Sequence, residues 1–248
     1  MATSGPPASA AGASESDYRP PPLLSAATAE AGGRIRLVGS AGAGDRVRLA
    51  TPEGQAVYAQ AGPGGDWSLT LAAPIAPRLF GLSMTHDGQT VQSEGYLAVT
   101  PQGTAAQLRS GAGALVLGSR SAEPSILAVD FDSKGGAVVS GRASPRATLD
   151  LWADGVRQGR GTAGPDGAFS VALDEPVSLA EHRLDIVEGA RRADLAAQLT
   201  PASPLNHAPY RATRTALGWR IDWMTPGGGL QTTLLPVRIE GGQAGASS

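Results

Sequence analysis

The chain repeats itself at a spacing of about 102 residues, and this internal repeat limits its possible folds more than any other feature. Pro22 recurs as Pro124, and the run WSLTL at 67–71 recurs as FSVAL at 169–173. A repeat of this length indicates tandem modules that share one fold. Each module, at roughly 75 to 100 residues, is large enough to bury a modest core.

Short runs within each copy alternate apolar and polar residues, most clearly at 67–71 and 169–173. A period of two is typical of a strand with one buried face. Turns rich in glycine, proline and aspartate separate the runs, and aromatic residues are only 4% of the chain. The sequence therefore predicts an all-β fold of two tandem sandwiches. We expect Trp67 and Phe169 to anchor the two cores.

A further hairpin is predicted near the C-terminus, outside the repeat. Trp219, Ile221 and Trp223 fall on one face of a strand, Arg220 and Asp222 fall on the other, and a glycine-rich turn and an apolar run follow. A lone hairpin is marginally stable in water, so this one must pack on something. Its apolar face is expected to contact either the second module or another chain.

The predicted organisation follows from these patterns. Both ends of the chain are rich in Ala, Ser, Gly and Pro, which cannot bury enough surface to offset the entropy of ordering. The divisions are a disordered arm (1–21), a first module (22–101), a connecting hairpin or linker (102–121), a second module (122–201), a C-terminal hairpin extension (202–240) and a disordered tail (241–248).

Composition excludes several classes of protein. The net charge is -2, whereas nucleic-acid-binding proteins usually carry an excess of positive charge, so nucleic-acid binding is not expected. The chain has no cysteine, which excludes disulfides and thiolate chemistry. No apolar stretch approaches the length of a membrane helix and no signal-peptide pattern is visible at Met1, so we expect no transmembrane segment.

Candidate catalytic groups are sparse. His86, His182 and His207 do not match a zinc-binding spacing, and we expect them to be solvated surface residues. No G-x-S-x-G motif is present, and the serines at 119–121 have no nearby base. The chain is not expected to be an enzyme.

Two loops resemble ligand-binding motifs only in part. The Asp130–Asp132 spacing begins like a calcium loop, but Lys134 stands where an oxygen ligand is needed, so a turn at a strand end is favoured. The glycine-rich run at 39–45 leads into a strand rather than a helix, which favours a hairpin turn over a dinucleotide site. Neither a metal nor a cofactor is predicted.

Aromatic residues are the best candidates for binding. Trp152, Trp219, Trp223 and Tyr210 could form a stacking platform for a sugar or an apolar patch for a protein partner. The alternative for each of them is burial in a core.

Three runs carry a resemblance to a known family: EPSILAVDF at 123–131, TLDLWADG at 148–155 and AGPDGAFS at 163–170. They resemble bacterial immunoglobulin-like (Ig-like) modules, in particular the Ig-like segments of proteobacterial envelope proteins that also carry a LysM peptidoglycan-binding domain. The first copy departs from the pattern at Gly42–Asp45, where a proline-containing turn is usual, and no LysM-like segment is found. The resemblance implies two tandem Ig-like β-sandwich domains.

The sequence thus leads to two functional hypotheses. The first is a non-catalytic interaction or spacer protein of the bacterial periplasm or cell envelope, with a protein partner that could be a second copy. Sandwich edges can accept a partner strand, and the C-terminal hairpin is the favoured interface. The second is a protein that binds peptidoglycan or another polysaccharide through Trp152 or Trp223.

Overall fold

A computed structural model describes residues 19–118, 123–206 and 208–237, and these residues form β-strands and no helix. The all-β prediction is therefore confirmed, and the described chain holds no helix that could span a membrane. The strands are β1 (Leu23–Glu30), β2 (Arg34–Ser40), β3 (Arg46–Ala50), β4 (Ala56–Gln60), β5 (Asp66–Ala72), β6 (Arg78–His86), β7 (Gln89–Gln92), β8 (Tyr96–Val99), β9 (Ala105–Leu108), β10 (Leu115–Val116), β11 (Ser125–Asp132), β12 (Ala137–Arg142), β13 (Thr148–Ala153), β14 (Val156–Thr162), β15 (Ala168–Ala172), β16 (Glu181–Glu188), β17 (Arg191–Gln198), β18 (Tyr210–Arg214), β19 (Gly218–Met224) and β20 (Leu230–Pro236).

Strands β1 to β7 form a first sandwich of two antiparallel sheets. One sheet has the order β1-β2-β5, and the other places β4, β3 and β6 side by side with β7 on the far edge of β6. Leu37 from the first sheet and Leu49 from the second are both fully buried in the core between them. Trp67 also lies in this core, as expected.

Strands β11 to β17 repeat this arrangement as a second sandwich. Its sheets have the orders β15-β12-β11 and β14-β13-β16-β17. Val139 and Leu151 are fully buried between them, and Phe169 lies in the same core. The sequence repeat therefore corresponds to a repeated order of strands.

A glycine facing an aromatic ring recurs in the two copies. The first strand of each copy has a register shift, between Leu24 and Ala26 in β1 and at the matching place in β11. A Cβ on Gly39 would collide with the backbone oxygen of Leu23 at this bulge and lie 2.6 Å from the ring of Trp67. Only glycine lets the aromatic ring approach the bulged strand so closely.

The glycine-rich run at 39–45 is not the hairpin turn that the sequence favoured. Strand β2 belongs to one sheet and β3 to the other, so the chain crosses between sheets here instead of pairing back on itself. Ala41 N donates to the backbone oxygen of Gly65 at 2.8 Å, which fastens this crossing to the start of β5. The turn shapes the core and offers no helix N-terminus to a phosphate.

A third core joins the two sandwiches. After the first sandwich, β8, β9 and β10 extend its sheet from β6, and after the second, β20, β19 and β18 extend its sheet from β11. These two extensions pack face to face. Leu79 and Leu108 from the first half of the chain form one buried cluster with Ile221 and Leu235 from the second half. Strands β11 and β20 are covered on both faces. Most of their side chains are therefore buried along the whole strand, without the alternation of a half-exposed strand.

Polar contacts fasten the connecting segment to the second sandwich. Ala114 N donates to Oδ2 of the buried Asp130 at 2.6 Å, and the Thr233 hydroxyl donates to Oδ1 at 2.5 Å. The guanidinium of Arg142, itself buried, donates to the backbone oxygen of Val116 at 3.2 Å. The junction is therefore a packed and hydrogen-bonded interface within one chain, and it fixes how one sandwich sits on the other.

Candidate binding surface

Trp219 and Trp223 lie inside the third core. Trp223 is fully buried, and its ring meets that of Tyr96 edge to face with centroids 5.9 Å apart. Its Nε1 donates to the Thr233 hydroxyl at 3.1 Å. Trp219 is 8% exposed, and its Nε1 donates to Oε1 of Gln102 at 3.1 Å. Neither indole presents a free face to a ligand in this structure.

Tyr210 packs against the same core from its edge and is half-buried. Burial raises the pKa of its phenol, and the negative charge of Glu53 raises this pKa further. Of the two partners expected for the C-terminal hairpin, the second module supplies backbone pairing through β11. The apolar face of the hairpin, however, is covered by the first half of the same chain, because Leu79, Tyr96 and Gln102 all precede the second sandwich.

Trp152 occupies a different environment. It lies on the outer face of the four-stranded sheet of the second sandwich, since its neighbours Leu151 and Ala153 point into the core. The residue is half-buried, and its Nε1 is buried with no hydrogen-bond partner among the described residues. Of the four predicted aromatic residues, it is the one that lies outside the third core.

Ion pairs surround Trp152 on this surface. Asp185, the cross-strand neighbour of Trp152 in β16, is 1% exposed, and its Oδ1 accepts a hydrogen bond from Nε of Arg192 at 2.9 Å. A terminal nitrogen of Arg192 lies 2.6 Å from Oδ2 of Asp185 as an ion pair. Arg183 pairs with Asp194 at 3.2 Å and lies 3.5 Å from Asp185. We call Trp152, Asp150, Arg183, Asp185 and Arg192 the Trp152 face.

Ion pairing shifts the pKa of two groups of the Trp152 face, Asp150 and Arg192, toward their charged forms. The hydrogen bond from Arg160 lowers the pKa of Asp150, and the hydrogen bond to Asp185 raises the pKa of Arg192. Arg160 donates to both carboxylate oxygens of Asp150, at 2.8 and 3.2 Å, and such bidentate contact fixes the orientation of both groups. An indole beside fixed charged groups can stack on a planar or sugar-like ligand while the exposed guanidinium groups of Arg183 and Arg192 bind its polar atoms.

The first sandwich presents a different surface at the corresponding sheet. Ala50 stands at the position that matches Trp152, and the exposed aromatic is Tyr58, on β4, with the Arg46 guanidinium 3.9 Å from its ring centre. The two copies therefore share a core but not a surface.

The histidines differ from the sequence expectation in one case. His182 is not a solvated surface residue: it is 7% exposed, its Nδ1 lies 2.6 Å from Oδ2 of Asp154, and its Nε2 lies 2.8 Å from the Ser178 carbonyl oxygen. Burial alone would lower the pKa of His182, but the hydrogen bonds with Asp154 and Ser178 outweigh it and raise the pKa. Because Nε2 donates to a carbonyl, it is not free to act as a base toward the Ser178 hydroxyl.

The other predicted positions have simpler outcomes. His86 contacts the buried Asp45 through Nδ1, and His207 and the serines at 119–121 lie outside the described residues. Asp132 accepts hydrogen bonds from Lys134 N at 2.7 Å and Gly136 N at 3.2 Å, which is the strand-end turn favoured by the sequence. Within residues 19–118, 123–206 and 208–237, no group of three or more His, Asp or Glu side chains is placed to hold a metal ion.

Sequence reasoning missed the carboxylates that frame Trp152. Asp150 precedes Trp152 by two positions and so shares its face, a signal that period-two alternation contains. Asp185 is brought to Trp152 only by the pairing of β13 with β16, which no local pattern shows.

Comparison of the chain with protein-family models and with curated proteins finds no match.

Proposed function

We propose that this chain is a non-catalytic interaction or spacer protein of the bacterial cell envelope. Its two sandwiches would be Ig-like modules, and the Trp152 face would be a surface that contacts a protein partner. The proposal rests mainly on one observation, the third core, which holds two sandwiches in a fixed relation within a single chain.

The strand order supports the Ig-like part of the proposal. Each copy has seven antiparallel strands in two facing sheets, with inward-facing residues of both sheets forming the core. Each copy has one sheet of three strands and one of four, as a constant-type immunoglobulin domain does. It departs from that type in one respect, because its fourth strand pairs with the third and not with the fifth.

The fixed junction supports a spacing role. Two modules joined by a flexible linker move independently, whereas a buried apolar interface with internal hydrogen bonds keeps its geometry. Here the side-chain and backbone contacts of Gln102, Ala114 and Val116 cross that interface. A ligand bound to one sandwich would therefore be held at a set distance from the other.

A pull-down from the source bacterium tests the protein-contact role. The full chain, tagged and cross-linked in envelope extracts, is expected to capture a discrete partner, and Trp152→Ala is expected to lose it. Tyr58→Ala, which removes the exposed aromatic of the first sandwich, is the matched control and should retain capture. Equal capture by both variants would contradict a contact at the Trp152 face.

Localisation in the envelope is supported by the resemblance of the repeats alone. Fractionation of the source bacterium, with the protein tagged at its own locus, checks it directly. We expect the tagged protein in the periplasmic or membrane fractions, and recovery in the cytosol would contradict the envelope assignment.

A second function, binding of peptidoglycan or a surface polysaccharide, is favoured by the chemistry around Trp152. A half-buried indole flanked by oriented carboxylate and guanidinium groups provides both stacking and hydrogen bonding to sugar hydroxyls. Pelleting with purified peptidoglycan separates this function from protein binding. Wild type should pellet and Trp152→Ala should not, whereas no pelleting of wild type removes the carbohydrate alternative.

A further inference from the structure

A cleft of about 400 Å³ lies where the connecting segment crosses the second sandwich. Ser110 and Gly111 of that segment line one side of it, and residues at the ends of β11, β12, β15 and β20 line the other. Its volume falls within the range of small-molecule sites, about 300–1,000 Å³. The cleft is separate from the Trp152 face, which lies on the other sheet of this sandwich.

Strand pairing brings two carboxyl groups and one amide together in this cleft. Asp130 and Asp132 are two positions apart on β11 and therefore share a face of the sheet. Asp130 pairs with Thr233 and Asp132 pairs with Gln231, so the Gln231 side chain lies on that same face. Asp130, Asp132 and Gln231 all line the cleft.

Two of these side chains have unused hydrogen-bonding capacity. Gln231 is 8% exposed, yet its amide makes no side-chain hydrogen bond to any described residue. Buried amides are normally hydrogen-bonded, and this one is free to both donate and accept inside the cleft. Oδ1 of Asp132 accepts from the backbone nitrogens of Lys134 and Gly136, whereas Oδ2 has no hydrogen-bond partner among the described residues.

The charges around the cleft indicate which ligands fit it. Asp130 and Asp132 line the cleft, and none of the described lining residues is Lys, Arg or His. A cation is therefore attracted and an anion repelled. Arg109, whose positive charge acts on Asp130, donates to the carbonyl oxygens of Ala112 and Gly113 and does not line the cleft.

An organic cation matches the cleft better than a metal ion does. Both oxygens of Asp130 already accept hydrogen bonds, from Ala114 N and from the Thr233 hydroxyl. Within the described part of the chain, no group of three or more His, Asp or Glu side chains is placed to ligate an ion. Val138 and Ala172 add apolar surface, which suits a hydrocarbon body.

We propose that this cleft binds a small organic cation that carries a primary ammonium group on a compact apolar body. The ammonium group donates to Oδ2 of Asp132 and to the Gln231 amide oxygen, and the charge of Asp130 adds to the attraction. The apolar body contacts Val138 and Ala172. This inference goes beyond the proposed protein-binding role and does not depend on it.

The probe is 2-phenylethylammonium, and 2-phenylethanol and 3-phenylpropanoate are its neutral and anionic analogues of similar shape. The full chain, labelled with ¹⁵N, is titrated with each compound and followed by NMR. The ammonium probe should shift the Gln231 side-chain amide signal saturably, with a Kd between about 0.1 and 10 mM. The alcohol and the carboxylate should bind at least about tenfold more weakly.

Variants of the lining residues locate the binding. Asp132→Asn keeps an oxygen that can accept both backbone hydrogen bonds of the turn but removes the charge, and Gln231→Met removes the amide at similar size. Each should weaken binding at least about fivefold, with the backbone amide of Gly111 as the reporter. Asp66→Asn removes an exposed carboxylate from the first sandwich, and this matched control should bind as wild type does. Should Gln231→Met fail to fold, Asp132→Asn still decides the question.

A further compound separates a free amine from a protein side chain. Nα-acetyl-lysine N-methylamide carries the same ammonium group between two peptide groups. It should bind more weakly than the probe, because its peptide groups would lose hydration against the apolar surface of Val138 and Ala172. Binding as tight as that of the probe would make the occupant a lysine of a partner protein and would overturn the small-molecule assignment.

Three other outcomes would overturn the proposal. They are the absence of saturable shifts, equal binding of the ammonium compound and its two analogues, and unchanged binding in both Asp132→Asn and Gln231→Met. Trp152→Ala should leave binding of the probe unchanged. Failure of this test and failure of the pull-down at the Trp152 face are therefore separate results.

Discussion

The Nε1 of Trp219 donates a hydrogen bond to Oε1 of Gln102 at 3.1 Å, which joins residues 117 positions apart in the chain. Around this bond, Trp223 and Ile221 pack with Leu79 and Leu108 from the first half of the protein. The aromatic residues of the C-terminal hairpin thus act as the internal contact between two repeated sandwiches. Any external partner must be recognised by other surfaces.

Trp223→Ala is expected to destabilise the protein far more than Trp152→Ala. Trp223 is fully buried, so its removal leaves a cavity in the third core and should cost about 3–5 kcal/mol. Trp152 is half-buried on an outer sheet face, and its removal should cost clearly less. Urea unfolding of both variants, followed by circular dichroism, measures the difference. Equal losses would show that the third core contributes little to stability.

Asp130→Asn is expected to stabilise the protein at neutral pH. Burial raises the pKa of Asp130 from 3.8 to about 6, against the opposing hydrogen bonds from Thr233 and Ala114. A raised pKa means that the folded state holds the proton more tightly, so the favourable contribution is full below pH 3.8 and is lost as pH rises through about 6. A shift of this size corresponds to about 3 kcal/mol.

The measurement is the free energy of unfolding of wild type and Asp130→Asn between pH 4 and pH 8. The wild-type value, relative to the variant, should fall as pH rises through about 6. Asparagine can keep both contacts, because its oxygen accepts from Ala114 N and its amide donates to the Thr233 hydroxyl. A pH-independent difference would contradict a buried, titrating Asp130.

The His182 imidazole is expected to titrate above its usual pKa of 6.5. The raised pKa means that protonated His182 favours the folded state, so its contribution is full below 6.5 and is lost as pH rises through the folded pKa. NMR titration of the ring protons measures this directly. Asp154→Asn, which retains the positive φ of 51° at that turn, should lower the His182 pKa. A wild-type pKa at or below 6.5 would contradict the contact.

The regular parts of the fold follow from local patterns. Alternation in the runs that begin at Trp67 and Phe169 predicts strands with buried aromatic residues, and both rings lie in the cores. One strand, β7, escapes such a prediction because it is short and three of its four side chains are polar. It is a strand because backbone pairing with β6 satisfies its backbone polar groups, whatever its side chains are.

The third core is less accessible to sequence reasoning. Several of its members are alanines, such as Ala98, Ala106 and Ala114, which are fully buried yet carry no strong local signal of burial. The sequence shows that Trp219 and Trp223 need a partner, but the partner lies more than a hundred residues away and is brought to them only by the order of strands in the sheets. The same holds for Asp185 beside Trp152.

Gly141→Ala is expected to destabilise the second sandwich, and Gly39→Ala the first. A Cβ at Gly141 would collide with the backbone oxygen of Ser125 and lie 2.8 Å from the Phe169 ring. The backbone conformation at both glycines is one that alanine can adopt, so the penalty is steric overlap rather than φ strain. Overpacking of this kind costs about 1–3 kcal/mol, and a fixed backbone carbonyl places the loss toward the upper end.

Gly227→Ala is the matched control for these two substitutions, because a Cβ there approaches no described atom more closely than the 4.0 Å to the Thr225 hydroxyl oxygen. Its effect on the unfolding midpoint in urea should be much smaller than that of Gly39→Ala or Gly141→Ala. Since the two glycines occupy the same place in repeated sandwiches, their losses should be similar in size. A loss of stability at only one of them would show that the contact between the bulge and its aromatic ring contributes differently to stability in the two copies.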